Sequence, residues 1–166
     1  MMMTRRNLLL AATGGVALLI GLKWFGNSAI EPAVAYEVEK TNTEWRKLLT
    51  PAQYDVLRRQ GTERAGSSPL DNEKRKGIFK CAACELPLFS SETKFDSGTG
   101  WPSFYQPLPN AVGTSEDRVL LFSRTEVHCR RCGGHLGHVF EDGPRPTGLR
   151  YCMNGVALNF SPDTTS

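Results

Sequence analysis

Arg150-Tyr151-Cys152-Met153-Asn154-Gly155-Val156-Ala157-Leu158-Asn159-Phe160 is the stretch around which the rest of the chain reads. Side chains of a strand alternate between faces, so as a single strand it puts Arg150, Cys152, Asn154, Val156, Leu158 and Phe160 on one side. The apolar half of that side suits a core. The polar half presents a thiol between a guanidinium and a carboxamide at the core's edge. A cation beside a thiol favours the thiolate, the nucleophilic form. A lone cysteine taken by itself is more often an inert small hydrophobe, so its surroundings decide the matter.

The chain has five cysteines, and the others form two Cys-x-x-Cys pairs, Cys81-Ala82-Ala83-Cys84 and Cys129-Arg130-Arg131-Cys132. That spacing lets one tight turn offer two sulfurs to one ion, and four thiolates in tetrahedral array suit a closed, structural Zn2+ site. Residues 85–128 lie between the pairs, more than the ~15–20 usual in a compact zinc ribbon. One ion would therefore staple two distant hairpins of a small domain. Two disulfides, a thioredoxin-like redox pair and a four-thiolate iron site are the rival readings. His128 adjoins Cys129, but a full set of cysteines leaves it no required role.

Short strand-like pieces separated by turns surround these pairs: residues 77–80, 86–89, 94–96, 119–123, 125–128 and 137–140. Their spacing predicts a mainly β, antiparallel domain. Upstream, Thr50-Pro51-Ala52-Gln53 reads as a helix N-cap with proline at the first helical position. Tyr54, Val56 and Leu57 give that helix an apolar stripe and Gly61 is expected to end it. Residues 43–49 read as a shorter helical turn. Residues 62–76, rich in Gly, Ser, Pro and charge, read as a long surface loop.

The first residues are of another kind. Met1-Met2-Met3-Thr4-Arg5-Arg6 is a basic head, and an apolar, Gly/Ala-rich run follows to Leu22. This is a signal-peptide layout, and Thr4-Arg5-Arg6-Asn7-Leu8-Leu9 resembles the twin-arginine export motif. Ala33-Val34-Ala35 is the candidate cleavage site. An uncleaved membrane anchor is the competing reading, although the run is short for a span of about 20 residues. The expected organisation is a twin-arginine-type signal at 1–35, a mobile leader at 36–43 and a domain at 44–162, located in the periplasm. Removing 1–35 takes away Arg5, Arg6, Lys23 and Glu31, so the formal charge of +3 falls to about +1. A body so close to neutral argues against nucleic acid as a partner.

Three further features accompany Cys152. Gly100-Trp101-Pro102-Ser103-Phe104 sets an indole in a constrained turn. Gly133-Gly134-His135-Leu136-Gly137-His138-Val139-Phe140 carries two histidines, and Asn154 follows the thiol. Together with the four paired cysteines these motifs resemble the methionine-(R)-sulfoxide reductases of the B class, from about Glu44 to Phe160. The resemblance implies two antiparallel sheets (a β-tent, Mss4-like) with short N-terminal helices and a zinc site away from the active site.

It also implies the chemistry. Cys152 would attack the sulfur of oxidised methionine in proteins or peptides. His138 would protonate the leaving oxygen, with His135 and Asn154 orienting substrate, proton or water. Trp101 would hold the ε-methyl group. Phe140 and Arg150 join the expected substrate-binding set, with packing and a structural salt bridge as their respective alternatives. Many relatives carry a cysteine where this chain has Thr99, so a one-cysteine cycle is expected, with a thioredoxin-like or small-thiol reductant acting on a monomer. The competing functions are a non-catalytic zinc module, an iron electron carrier and a cysteine hydrolase. The last needs an oxyanion hole that no motif supplies.

Overall fold

The computed structural model describes residues 35–119 and 122–164. The export signal read from residues 1–35 lies outside them, save Ala35. Two short helices come first, α1 (Asn42–Leu48) and α2 (Pro51–Arg59). Each opens on a reciprocal capping box, Thr41 with Glu44 and Thr50 with Gln53. Tyr54, Val56 and Leu57 are buried. The helix ends one residue earlier than expected, because Gln60 itself takes the left-handed conformation (φ 56°).

Nine strands follow: β1 (Gly77–Cys81), β2 (Pro87–Ser90), β3 (Lys94–Phe95), β4 (Ser103–Phe104), β5 (Val112–Val119), β6 (Phe122–Cys129), β7 (His135–Phe140), β8 (Arg150–Met153) and β9 (Leu158–Pro162). They make two antiparallel sheets, β2-β1-β9 and β3-β4-β8-β7-β6-β5. The mainly β, two-sheet architecture is the expected one. Aromatic rings join the sheets. Phe79 of β1 lies 4.9 Å from Phe104 of β4 and 4.8 Å from Phe160 of β9. Phe89 of β2 stacks on Phe104 at 4.3 Å and meets Tyr151 of β8 at 5.9 Å.

Residues 150–160 are not one strand. β8 belongs to the larger sheet and β9 to the smaller, and a 3-10 turn at Gly155–Ala157 stands between them. The physical reason is local: the N–H groups of Gly155 and Val156 both donate to the carboxylate of Glu63, so neither is free to continue a ladder. The stretch is the crossing point of the fold.

The strand expected at residues 119–123 falls on two strands, Val119 ending β5 and Phe122 opening β6 as its partner, and residues 120–121 lie outside the described residues. β5 escaped notice because Gly-Thr-Ser-Glu-Asp-Arg lacks the apolar alternation of a half-buried strand; it forms an edge of the larger sheet. The leader, expected to be mobile, is docked. The Val38 N–H donates to the Arg131 carbonyl at 3.0 Å, and the Tyr36 ring packs edge-on against His128 at 6.1 Å. Gly133 makes room for it, since a Cβ there would lie 2.4 Å from the Tyr36 ring.

Candidate active site and metal centre

Cys81 ends β1 and Cys129 ends β6, and the turns after them are built alike. The N–H of Glu85 donates to the Cys81 carbonyl at 2.8 Å, and that of Gly133 to the Cys129 carbonyl at 2.9 Å. The residue after the second cysteine of each pair, Glu85 (φ 59°) or Gly133 (φ 66°), is left-handed, which turns the chain back as it leaves the knuckle. The four Sγ atoms lie within 4.8 Å of one another, with Cys81–Cys132 at 3.8 Å and Cys84–Cys129 at 3.5 Å. Zn–S bonds of about 2.3 Å at tetrahedral angles demand sulfurs about 3.8 Å apart, so the donor set fits an ion of that kind. No disulfide links them. Cys152 is not part of this cluster.

The second site is built on one face of the larger sheet. Strand register puts Ser103, Cys152, His138, Glu126 and Ser115 side by side across β4, β8, β7, β6 and β5. His135 would fall on the opposite face by simple alternation. The register shift between Val127 and His128 makes Leu136 an extra residue in β7 and returns His135 to the face of His138. The two imidazole centroids are 5.3 Å apart. Gly137 permits the close approach of β7 to β8, because a Cβ there would lie 2.1 Å from the Cys152 carbonyl oxygen.

A cleft of ≈ 140 Å³ opens beside Cys152. Trp101, His138, Phe140 and Asn154 line it, as do Thr62, Arg124 and Gly137. His135 and Arg150 do not. A larger cavity, ≈ 870 Å³, shares only Thr62 with this cleft and contains neither thiol nor imidazole, so its size does not recommend it as the reactive site.

Each histidine has its own carboxylate. His138 Nε2 is 2.9 Å from Asp117 Oδ2, which also receives the Arg124 guanidinium at 2.7 Å. Those two bonds hold the Asp117 carboxyl below its ordinary range. His135 Nδ1 is 2.7 Å from Glu126 Oε1, and the Ser115 hydroxyl donates to Glu126 Oε2 at 2.7 Å. Burial lowers the His135 pKa in spite of that partner, and its Nε2 is buried with no hydrogen-bond partner among the described residues. His135 is thus a mostly neutral ring behind His138.

Cys152 is half-buried. Burial pushes its thiol above the ordinary 9.0. The hydroxyl of Thr99, 3.9 Å from Sγ, the charge of Arg150 and the hydroxyl of Ser103 pull the other way and do not prevail. The thiolate expected from the neighbouring cation is therefore not the resting form. Arg150 is otherwise engaged: Nε and Nη2 donate to the two oxygens of Asp142 at 2.9 and 2.8 Å, and the guanidinium stacks 4.5 Å from the Phe140 centroid. Asn154 spends both ends of its carboxamide on backbone, Nδ2 donating to the Leu136 carbonyl and Oδ1 accepting from the Glu63 N–H, each at 3.0 Å.

Asp117, Arg124, Glu126, Thr62 and Glu63 were not singled out from sequence. For the strand residues a signal existed, since Ser115 and Asp117 alternate on β5 as Arg124 and Glu126 do on β6. For Thr62 and Glu63 there was none, because nothing in a loop's composition marks which of its residues is buried against a site.

A β domain with four clustered cysteines that could hold a metal ion and a separate thiol in an imidazole- and indole-lined cleft is a frame for thiol chemistry. Comparison with known proteins sharpens this. Residues 49–162 match the SelR domain family. The chain is 58% identical over 127 residues to "Peptide methionine sulfoxide reductase MsrB" of Methanosarcina barkeri, covering 76% of this chain and 89% of that one. It is 54% identical over 127 residues to the protein of that name from Agrobacterium fabrum, covering 76% and 94%. With "Peptide methionine sulfoxide reductase B1, chloroplastic" of Arabidopsis thaliana it shares 50% identity over 142 residues, 81% of this chain and 70% of that one. The chain belongs to the MsrB family of peptide methionine sulfoxide reductases.

Proposed function

We propose that the chain reduces methionine-(R)-sulfoxide, chiefly in proteins and peptides, with Cys152 as nucleophile. One observation carries the reading: Cys152 faces His138 directly across β8 and β7, and the Trp101 ring closes the same small cleft. Cys152 Sγ attacks the sulfoxide sulfur while His138, paired with Asp117, supplies a proton to the oxygen. The oxygen passes to Cys152, the old S–O bond breaks, and the thiol proton replaces the one spent by His138. Methionine leaves and Cys152 is a sulfenic acid. The thiol's raised pKa suits this order, since its proton is still in place when the sulfoxide arrives. Trp101 offers an apolar ring face to the methyl group, and a fixed ring with a fixed acid admits one epimer. Asn154 holds the wall in place rather than reaching for the substrate.

Two equivalents of an external thiol, or one thioredoxin-like dithiol, then return Cys152 to the thiol with loss of water. Intramolecular resolution would cost a metal ligand, because the other cysteines are the four of the cluster. That cluster would hold one Zn2+ in a structural role, supported by its all-sulfur donor set and spacing. Export by the twin-arginine route to the periplasm is proposed on the sequence Thr4-Arg5-Arg6-Asn7-Leu8-Leu9, and unaffected export of the double variant Arg5→Lys/Arg6→Lys would oppose it. The activity is tested by a coupled assay with each epimer. The R epimer alone should be consumed, and Cys152→Ser should abolish turnover. Equal use of both epimers, or a fully active Cys152→Ser, would refute the reading.

A further inference from the structure

Glu63 lies just after α2, in a stretch whose sequence reads as loop, yet it is bonded to three parts of the site. Its N–H donates to Asn154 Oδ1 at 3.0 Å, and its carbonyl accepts the Trp101 indole N–H at 3.2 Å. Its carboxylate accepts the N–H groups of Gly155 and, at 3.0 Å, of Val156. These are the first two donors of the turn that follows the thiol strand, and Asn154 gives that turn no side-chain cap of its own. The adjoining residues tie the same two loops together, the Gly66 N–H donating to the Gly100 carbonyl at 2.7 Å. Thr62, its neighbour, is part of the cleft wall.

We propose that Glu63 is a positioning residue for substrate binding: it fixes the Trp101 ring and the Asn154 end of β8 relative to Cys152. The carboxylate is what locks the loop, since it alone satisfies these two part-buried donors with charge-assisted bonds. Its loss leaves those donors unpaired, the turn shifts, and the carbonyl that orients the indole shifts with it. The inference rests on the sulfoxide-reductase reading for its kinetic consequence. An indole that holds a methyl group binds ground state and transition state alike, so its misplacement raises KM and spares kcat.

The test uses Glu63→Ala alone and in a Trp101→Phe background. Glu63→Ala should raise KM for methionine-(R)-sulfoxide about tenfold with kcat within about threefold. In the Trp101→Phe background, where the indole N–H is already gone, the further rise should stay within about twofold. Emission assigned to Trp101, by difference from Trp101→Phe, should move to the red and be more readily quenched by acrylamide. Thr50→Ala, which uncaps α2 without touching the cleft, should lose thermal stability yet leave KM and emission alone. If Glu63→Ala fails to fold, Glu63→Gln, which retains one acceptor oxygen, carries the same measurements. Unchanged emission, or a KM rise of full size in the Trp101→Phe background, overturns the proposal. Absence of turnover in the wild type would instead defeat the reductase reading, and the emission arm would still decide the placement of Glu63.

Discussion

At the scale of single residues the balance at Cys152 is the informative one. Two hydroxyls and a guanidinium surround the thiol, and burial still outweighs them. A thiol whose pKa is raised stays protonated at neutral pH, and its thiolate appears only as pH climbs past the ordinary value. Alkylation of Cys152 in the metal-loaded protein should therefore accelerate through pH 9, without a plateau below it. Arg150→Met, which removes an opposing charge, should push the profile higher still. A plateau near pH 7 would mean that the cation prevails over burial. Thr99 supports a second test. Its hydroxyl sits 3.9 Å from Sγ, so Thr99→Cys should leave a disulfide between residues 99 and 152 after one turnover, seen as a mobility or mass change reversed by reductant. Persistence of a trappable sulfenic acid in that variant would show the two sulfurs unable to meet. Residue chemistry was the part most readily read from sequence, because Cys152, Trp101 and His138 carry distinctive groups and the fold brings all three to one cleft. The salt bridge weighed as the alternative for Arg150 is the one that forms, with Asp142; what sequence did not foretell was that two backbone groups hold Asn154.

At the scale of elements, β7 and β8 make the site, and two irregularities aim their side chains. The extra residue Leu136 puts both histidines on one face, and Gly137 lets β7 close on the Cys152 carbonyl. Neither is visible in a hydrophobic pattern, which assumes strict alternation. The reading of residues 150–160 as one strand failed for a related reason: Val156, Leu158 and Phe160 are apolar in alternation, but Glu63 takes the amides that a strand would need. Gly137→Ala tests the element directly. A methyl group there meets backbone atoms on both Cys152 and Met153, which have no rotamer to escape by. The variant should lose about 2 kcal/mol or more of stability, well beyond the about 0.5 kcal/mol of an ordinary surface change, together with most activity. Urea denaturation with unchanged midpoint would show that the strands can part at no cost.

At the scale of the whole molecule, the sulfur cluster joins the sheets. Cys81 belongs to the smaller sheet and Cys129 to the larger, so an ion held by all four thiolates crosslinks both layers. α2 is tied to the same place, its Arg58 guanidinium donating twice to the Cys132 carbonyl, at 2.9 and 3.0 Å, and stacking on Trp45 at 4.1 Å. Removing the ion with a strong chelator under reducing conditions should therefore lower the melting temperature sharply and release one zinc per chain; a metal-free protein with the original melting temperature would make the cluster dispensable. Two Cys-x-x-Cys pairs made the meeting of these four sulfurs legible in advance. The docking of the leader and the role of residues 62–68 were not, since both depend on backbone contacts between segments far apart in the chain.

The proposed chemistry moves oxygen from the substrate to one sulfur. A single turnover with methionine-(R)-sulfoxide carrying heavy oxygen, followed by mass measurement of the peptide containing Cys152, follows that atom. The prediction is one heavy oxygen on Cys152 for each methionine formed. Methionine formed while Cys152 remains unmodified, with the heavy oxygen in water or on one of the four paired cysteines, would contradict it.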